Sequence, residues 1–399
     1  MSKEHFSIPA AQSSILIPVD LLINIFSLVP AKSAVRFRCL SKFWASILCR
    51  RDFTELFLSK SLTRPRLFFS LHYDGKSFLY STPQPHNPDG NTPLIATPYY
   101  KSFPEYFPSN TSTPVCGLAL LHGWRRKVRV ICNPATGEFL TLPKVLLKEK
   151  KLLANKNNPP YLEAREEIAS MYLGYDPMRK QFKVLCMTTS RYGIRDNTHQ
   201  VLTLGPGKRF WRPIQRKFQF VENRIISHEI CINGVLYFGA RTERSTTIVC
   251  FDVGSEKFSF INTNRDMMYS CYMGSLTLFN YKGRLAIHRK VDSYQKRLMF
   301  WVIEDAENHK WSKHIYELSP LVKDMISYSR FVGMTGTGEL VWSLYQEQPN
   351  SLYLTFYNFE SETFTKVNVQ GFEEFEEYED DYIYIKTYVD YVENMKWLV

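Results

Sequence analysis

The chain has 399 residues, enough for two or three domains. Its 44% hydrophobic and 22% charged residues exclude wholesale disorder, a collagen-like rod and a disulfide-stapled miniprotein. The net charge is +11, but residues 373–381 hold seven acids, which leaves 50 bases against 32 acids elsewhere.

That basic excess is dispersed. Its densest run, Arg125-Arg126-Lys127 with Arg129, reads as one solvated strand or turn, and nucleic acid is not the expected partner. The start Met1-Ser2-Lys3-Glu4-His5 is polar and lacks a signal-peptide core, and residues 1–12 read as a flexible tail. The apolar stretch from Ser13 to Ala31 is broken by Pro18, Asp20, Asn24 and Pro30, so no membrane span is expected there. Eight cysteines stand at least ten residues apart, which excludes CxxC and zinc-ribbon spacing. They read as reduced, mostly buried thiols of a protein in the cytoplasm and/or nucleus.

Residues 13–60 carry helical signals. Pro18 and Asp20 suit a first turn, and Leu21, Leu22, Ile25, Phe26, Leu28 and Val29 follow at helical spacing until Pro30. A second helix is expected over about Lys32 to Arg38. Ser41 can cap a third, with Trp44, Ile47 and Leu48 inward, and Asp52 has the form of a further N-cap. Leu21, Leu22, Ile25 and Phe26 span a wide arc. One face must serve the local core, and the other needs either the larger domain behind it or a separate partner.

Pro18, Asp20, Leu21, Ile25, Pro30, Lys32, Ser33, Arg36, Phe37, Arg38, Cys39, Ser41, Lys42 and Trp44 stand at the spacing of the plant F-box, and this region resembles that family. The departures are mild: Ile17 and Val29 replace leucines, and Phe26 stands for the usual Leu. The resemblance implies docking on a Skp-type adaptor, and through it on a cullin. The adaptor surface it implies draws on Ile17, Pro18, Leu21, Leu22, Ile25, Phe26, Pro30, Lys32, Val35, Arg38, Lys42 and Trp44.

From about Leu67 onward the period becomes two. Arg66–Tyr73, the turn Asp74-Gly75 and Ser77–Tyr80 read as a hairpin. Residues 81–114 hold eight of the 21 prolines and read as a surface loop with at most edge pairing. One unit then recurs: an apolar strand ending in Asn or Asp, a polar turn, and an aromatic six residues after the Asx. It appears as Asn133/Phe139, Asp176/Phe182, Asp252/Phe258, Asp305/Trp311 and Asn358/Phe364, with a weaker copy at Gly205/Trp211. The Asx side chain can bond to backbone amides two residues on, and the aromatic can pack across the strand pair. Strands led by Gly234, Gly283 and Gly338 alternate with these units. Together they predict a β-propeller-like repeat domain of mainly β structure over 61–399, with an irregular sandwich pair as the alternative.

The charged segment 144–170 reads as a flexible insertion with a short helix near Leu162–Ala169, and 373–381 as a solvated acidic loop. Tyr382–Val389 is strand-like and is expected to close the ring against Leu67–Tyr73. The pieces Cys132-Asn133-Pro134-Ala135-Thr136-Gly137-Glu138, Leu173-Gly174-Tyr175-Asp176-Pro177 and Ile232-Asn233-Gly234-Val235-Leu236-Tyr237 resemble the plant F-box-associated, kelch-like domain.

No catalytic signature stands out. Gly75-Lys76-Ser77 lacks the first glycine of a P-loop, there is no GxSxG elbow, and the nine histidines include no HExxH. No enzyme activity, cofactor or metal is expected. The resemblance implies the substrate-recognition subunit of a Skp–cullin–F-box ubiquitin ligase. A glycan- or small-ligand-binding propeller, using loop aromatics such as Tyr99, Tyr100 and Tyr106, is the alternative. An F-box protein that assembles poorly and has no ligase role is another.

Overall fold

The structure, a computed structural model, describes residues 17–73, 76–100, 108, 110–122, 128–147, 149–150, 164–190, 198–205, 207, 209–215, 218, 221, 223, 225–241, 246–268, 276–290, 297–344, 352–359, 361–372 and 384–396. The proposed tail 1–12, the acidic loop 373–381 and Arg125–Lys127 lie outside these residues.

Four helices lead the chain: α1 (Val19–Leu28), α2 (Ala31–Arg38), α3 (Lys42–Leu48) and α4 (Arg51–Leu62). Pro18 and Pro30 stand just before α1 and α2, where a missing N–H costs nothing. Ser41 caps α3 by accepting from the Trp44 amide at 3.3 Å. Asp52 departs from the expectation. It sits inside α4, after the cap residue Arg50, where its charge still favours the helix N-terminus. Leu22, Ile23, Phe26, Ile47, Leu48, Phe53 and Phe57 form the helical core. The Arg64 guanidinium donates to the carbonyl oxygens of Ser27 (2.8 Å) and Leu28, which closes the open end of α1.

The described strands form six sheets. The first uses β1 (Arg66–Tyr73), β2 (Lys76–Pro83) and, after β3 (Leu94–Ile95), β4 (Thr97–Tyr100). The second is β5 (Asn110–Thr111), β6 (Ala119–His122), β7 (Val130–Asn133) and β8 (Glu138–Thr141). The third comprises β9 (Glu149–Lys150), β10 (Ala164–Asp176), β11 (Gln181–Ser190), β12 (Gln200–Leu204) and β13 (Arg212–Pro213). After β14 (Ile226–Ser227) comes the fourth: β15 (Ile230–Ile232), β16 (Val235–Arg241), β17 (Thr246–Asp252) and β18 (Lys257–Asn262). Following the short α5 (Arg265–Met268), the fifth contains β19 (Leu276–Tyr281), β20 (Arg284–Arg289), β21 (Arg297–Asp305) and β22 (Lys310–Glu317), with β14 on its edge. Helix α6 (Pro320–Ser327) leads to the sixth: β23 (Ser329–Met334), β24 (Leu340–Leu344), β25 (Leu352–Asn358) and β26 (Thr363–Gln370), edged by β3.

These sheets are the blades of a six-bladed propeller. A separate apolar cluster fills each gap between neighbours. Phe251, for example, packs between blades three and four, Trp301 between four and five, and Trp342 between five and six. A further strand, β27 (Tyr384–Tyr391), pairs antiparallel with β1, placing Ser70 opposite Lys386 and Phe68 opposite Tyr388. The C-terminal strand therefore completes the first blade, and the ring closes as expected.

Residues 81–83 continue β2 and pair with β1, inside the first sheet, and the other described residues of segment 81–114 pair at sheet edges through β3, β4 and β5. The expected helix near Leu162–Ala169 is not there: residues 164–169 begin the 13-residue strand β10. Pairing of Ala164 and Arg165 with β9, and of Glu166 and Glu167 with β11, outweighs their helical propensity.

The Asx repeat has a definite geometry. Carboxyl or amide oxygens of Asn133, Asp176, Asp252, Asp305 and Asn358 accept from amides two or three residues on, at 2.5–3.4 Å. The residue four after each Asx has positive φ: Gly137, Lys180, Glu256, His309 and Glu362. That left-handed residue returns the chain and sets the aromatic across the pair, as in Tyr357–Phe364, stacked at 4.1 Å. The unit is not strictly one per blade position. In the third blade Asp176 joins the first hairpin, β10 to β11, whereas the others join the third and fourth strands.

Candidate functional site

Every Asx turn, and the tight turns at Cys116-Gly117, Asn233-Gly234 and Lys282-Gly283, fall on one face of the propeller. The helical domain sits on this face. Chain segment 392–396, directly after β27, forms the pad between them. The Asn133 amide donates to the carbonyl oxygens of Asn394 (2.9 Å) and Lys396 (3.0 Å), and Asn394 donates to that of Cys116 (2.7 Å). A Cβ on Gly117, at φ +83°, would lie 2.5 Å from the Asn394 Cβ, so only glycine admits this tail. Above the pad, Met395 and Ala135 are buried in the helical core itself. The Glu393 carboxylate accepts from the Ala31 amide at 3.0 Å and from the Tyr99 hydroxyl at 2.8 Å. Lys32 donates to the Pro98 carbonyl, Arg38 pairs with Glu138 at 3.6 Å, and Lys180 pairs with Glu55 at 2.7 Å. The helices and the propeller thus share a core.

This docking leaves one side of the helices bare. Ile17, Leu21, Ile25 and Leu28 lie four, four and three residues apart and are 48–62% exposed, one apolar stripe along α1. Phe37, Leu40 and Phe43 add a second exposed group around α2 and α3. Aromatic contacts join the two: Phe37 meets Phe26 at 4.9 Å and Trp44 at 5.9 Å, and Phe43 meets Trp44 at 5.4 Å. Of the residues expected on the adaptor surface, Ile17, Pro18, Leu21, Ile25, Pro30, Lys32 and Lys42 are exposed. Leu22 and Phe26 are buried, Val35 and Trp44 pack against the core from its margin, and Lys32 and Arg38 reach toward the propeller. The sequence reading passed over Leu28, Phe37, Leu40 and Phe43. Their signal was partial: all four are large apolar residues, and Phe43 directly precedes Trp44, which the sequence places inward.

On the opposite face β6, β11 and β20 end, and β7, β12 and β21 begin. There the inner strands begin, and their first residues meet across the axis. Arg330 donates to His228 at 2.7 Å, joining blade six to the entrance of blade four. The Thr113 amide of blade two donates to Glu229 at 3.0 Å. Lys386 of β27 donates to the Thr111 carbonyl at 3.4 Å, and the Thr111 hydroxyl lies 2.6 Å from Ser70. His72 and His122 stand near Lys386. Burial, then the charge of Lys386, holds His72 down at about 3 and His122 at about 4. Burial, then Arg330, keeps His228 well below the ordinary histidine value. Burial, then Arg330, lowers Lys386 to about 8, against the opposing pull of Glu229.

Among the described residues, no three His, Cys, Asp or Glu side chains are grouped to hold a metal. No described helix is long and apolar enough to cross a membrane. Cys132, Cys186 and Cys250 are buried free thiols, whereas Cys39 and Cys49 are exposed, unlike the expected buried majority. Tyr99 is enclosed by Phe68 and Tyr391 and bonded to Glu393, so its ring offers no platform to a sugar.

Helices with a bare apolar stripe, fixed to a six-bladed propeller, define a two-part architecture. An F-box domain matches residues 15–56, and an F-box associated beta propeller domain matches residues 66–392. The chain belongs to the family of F-box proteins that carry this propeller. It is 42% identical to the putative F-box protein At1g53370 of Arabidopsis thaliana, over 95% of this chain and 92% of that one. It is 39% identical to the F-box protein DOR of the same plant, over 95% and 93%.

Proposed function

We propose that this protein is the target-receiving subunit of a Skp–cullin–F-box ubiquitin ligase. The F-box binds a Skp-type adaptor, and through it a cullin, while the propeller holds the protein to be modified. The chain makes and breaks no bonds; it raises the concentration of target beside the conjugating enzyme. It works in the cytoplasm or nucleus, where its cysteines stay reduced.

The observation that supports this reading is the α1 stripe of Ile17, Leu21, Ile25 and Leu28. The propeller had every opportunity to cover it and covers the other side instead. Burying each such side chain is worth roughly 1.5–3 kcal/mol. Leu21→Ala combined with Ile25→Ala should therefore weaken capture of a purified Skp-type adaptor by more than tenfold. The melting temperature should hold, since both side chains are half exposed in the free protein. Adaptor capture at undiminished strength would overturn the reading.

A further inference from the structure

We infer that a cleft beside the Asn358 turn of blade six binds an organic cation, an ammonium or guanidinium group, on the carboxylate of Glu339. This site stands apart from the adaptor surface and does not depend on the ligase reading.

Placement comes first. Glu339 directly precedes β24, whose Leu340 pairs with Tyr357 of β25, and the next residue of β25, Asn358, pairs with Thr363 of β26. Phe356 and Asn358 alternate along β25, and Thr363 and Thr365 along β26, so their side chains share one face of the sheet. Asn87 and Pro88, from the segment after β2, stand on the other side of the cleft. The Asn358 amide ties them in place, donating to the Asn87 side-chain oxygen at 3.2 Å. The cleft holds about 370 Å³, within the range of ordinary small-ligand sites.

One group sets the chemistry. Glu339 lines this cleft and is 2% exposed. Its Oε2 accepts from the hydroxyls of Thr335 at 3.4 Å and Thr337 at 3.1 Å. Among the described residues its Oε1 has no hydrogen-bond partner, and no lysine or arginine pairs with the carboxylate. Lys366, beside Thr365, turns to the other face of the sheet and lies over the Tyr353 ring at 3.9 Å. A buried carboxylate with no cation opposes folding, and a glutamine would satisfy the same two hydroxyls without the charge. An ammonium or guanidinium supplies the partner that the chain withholds, and donates to the oxygen left over. Ser361 and Thr363, whose hydroxyls lie 2.7 Å apart, offer oxygens to the remaining N–H groups. Acidic residues flank both walls: Asp89 follows Pro88, and Glu362 stands between Ser361 and Thr363. A single carboxylate is too few for a metal ion, and Phe356 is too deeply buried to stack on a sugar.

The test uses the purified full chain and calorimetric titration. Butylguanidinium and butylammonium carry the charged group alone, with 1-butanol as the neutral counterpart. Blocked heptapeptides of one sequence, with a central arginine or a central glutamine, present the group on a chain. At least one cationic probe should bind and raise the melting temperature, and neither neutral counterpart should. Binding of the small cations points to a free amine as ligand, and binding of the arginine peptide alone points to a protein segment. Glu339→Gln should weaken binding by about tenfold or more, as when one partner of a buried charge pair is removed. Its melting should be unchanged or raised, and its adaptor capture intact. Thr363→Trp, at an exposed strand position, should block the cleft and weaken binding with Glu339 still in place. No binding of any cationic probe, equal binding of the neutral counterparts, or wild-type affinity in the glutamine variant would overturn the inference. So would a glutamine variant that melts lower than the wild type, which would make Glu339 a structural residue, or glucose that binds more tightly than every cation.

Discussion

The two faces of the propeller are built by different means. The F-box face consists of short turns whose amides are satisfied within five residues of the Asx, and the C-terminal pad is bolted across them. The opposite face instead carries side-chain contacts between blades, Arg330 with His228 and the Thr113 amide with Glu229. The first face is organised for rigidity. Function-bearing surfaces tend to sit on loops carried by a stiff scaffold, and charge that costs stability gathers there. The F-box also depends on the rigid face: Met395 and Ala135 belong to its core, so the two domains do not have separate interiors.

The sharpest way to break this comparison is to remove the end of the chain. Truncation after Asp381 deletes β27 and the pad together. It strips β1 of its partner, opens Phe68, which stacks on Tyr391 at 4.6 Å, and removes Met395 from under the helices. We expect loss of cooperative folding and aggregation through the open edge. The F-box should fail with the propeller, and adaptor capture should be lost although residues 17–62 are untouched. A monomeric truncation product with wild-type melting would show that the two faces are independent.

Next in size is the turn unit itself. Phe258 is 4% exposed and lies 4.9 Å from Phe251, so Phe258→Ala should cost about 3–5 kcal/mol by urea unfolding. Asp252→Ala removes the acceptor for the Ser255 amide at 2.5 Å and should cost about 1 kcal/mol. Because one turn holds both residues, the double mutant should cost less than the two added together. Strict additivity would break the reading of the hairpin as a single unit.

These turns were legible in the sequence because all their parts lie within seven residues. The ring closure was legible for a related reason: a β-rich segment at the end must pair somewhere. The pad was not. Asn133 and Asn394 are far apart in the chain, and nothing local distinguishes Asn133 as a turn residue from Asn133 as a clamp on the tail. The cleft at Glu339 was hidden in the same way, since Asn87, Glu339 and Ser361 lie in three separate segments of the chain. On α1 the pattern was ambiguous by its own nature. Leu21 and Leu22 are neighbours, as are Ile25 and Phe26, and two adjacent apolar stripes do not say which faces inward. The packing of Leu22 and Phe26 on α3 and α4 decides it.

A smaller effect separates the interior from both faces. His288 on β20 is 2% exposed, stacks on Phe331 at 4.0 Å, and has no hydrogen-bond partner among the described residues. Burial lowers its proton affinity to about 3. Above pH 6.5 the ring is neutral in both folded and unfolded chains, and it adds no pH dependence. As pH falls from 6.5 toward 3, the unfolded chain takes up a proton that the native chain refuses, so stability drops. At pH 5 the loss from this one group is about 2 kcal/mol. His288→Phe should flatten that part of the pH–stability curve without altering adaptor binding. An unchanged slope would mean the ring is already protonated in the fold.

The smallest effect refines the account of the F-box face. The residue four after each Asx adopts positive φ, yet only Gly137 among the five is a glycine. At Glu362, φ is +52°, a conformation that crowds the Cβ of an L-residue by roughly 1–2 kcal/mol. Glycine relieves the crowding but gives the unfolded chain more freedom, returning about 0.5–1 kcal/mol. Glu362→Gly should therefore stabilise by about 0.5 kcal/mol, while Glu362→Val, branched at the crowded carbon, should destabilise. Glu362 is exposed, which leaves the backbone as the dominant cause of either change. The same pair of substitutions at His309, at φ +52° in the equivalent turn of blade five, should give the same order. Equal stabilities for the glycine and valine variants at both sites would show that these turns relax, and that the F-box face is not held as rigidly as its hydrogen bonds indicate.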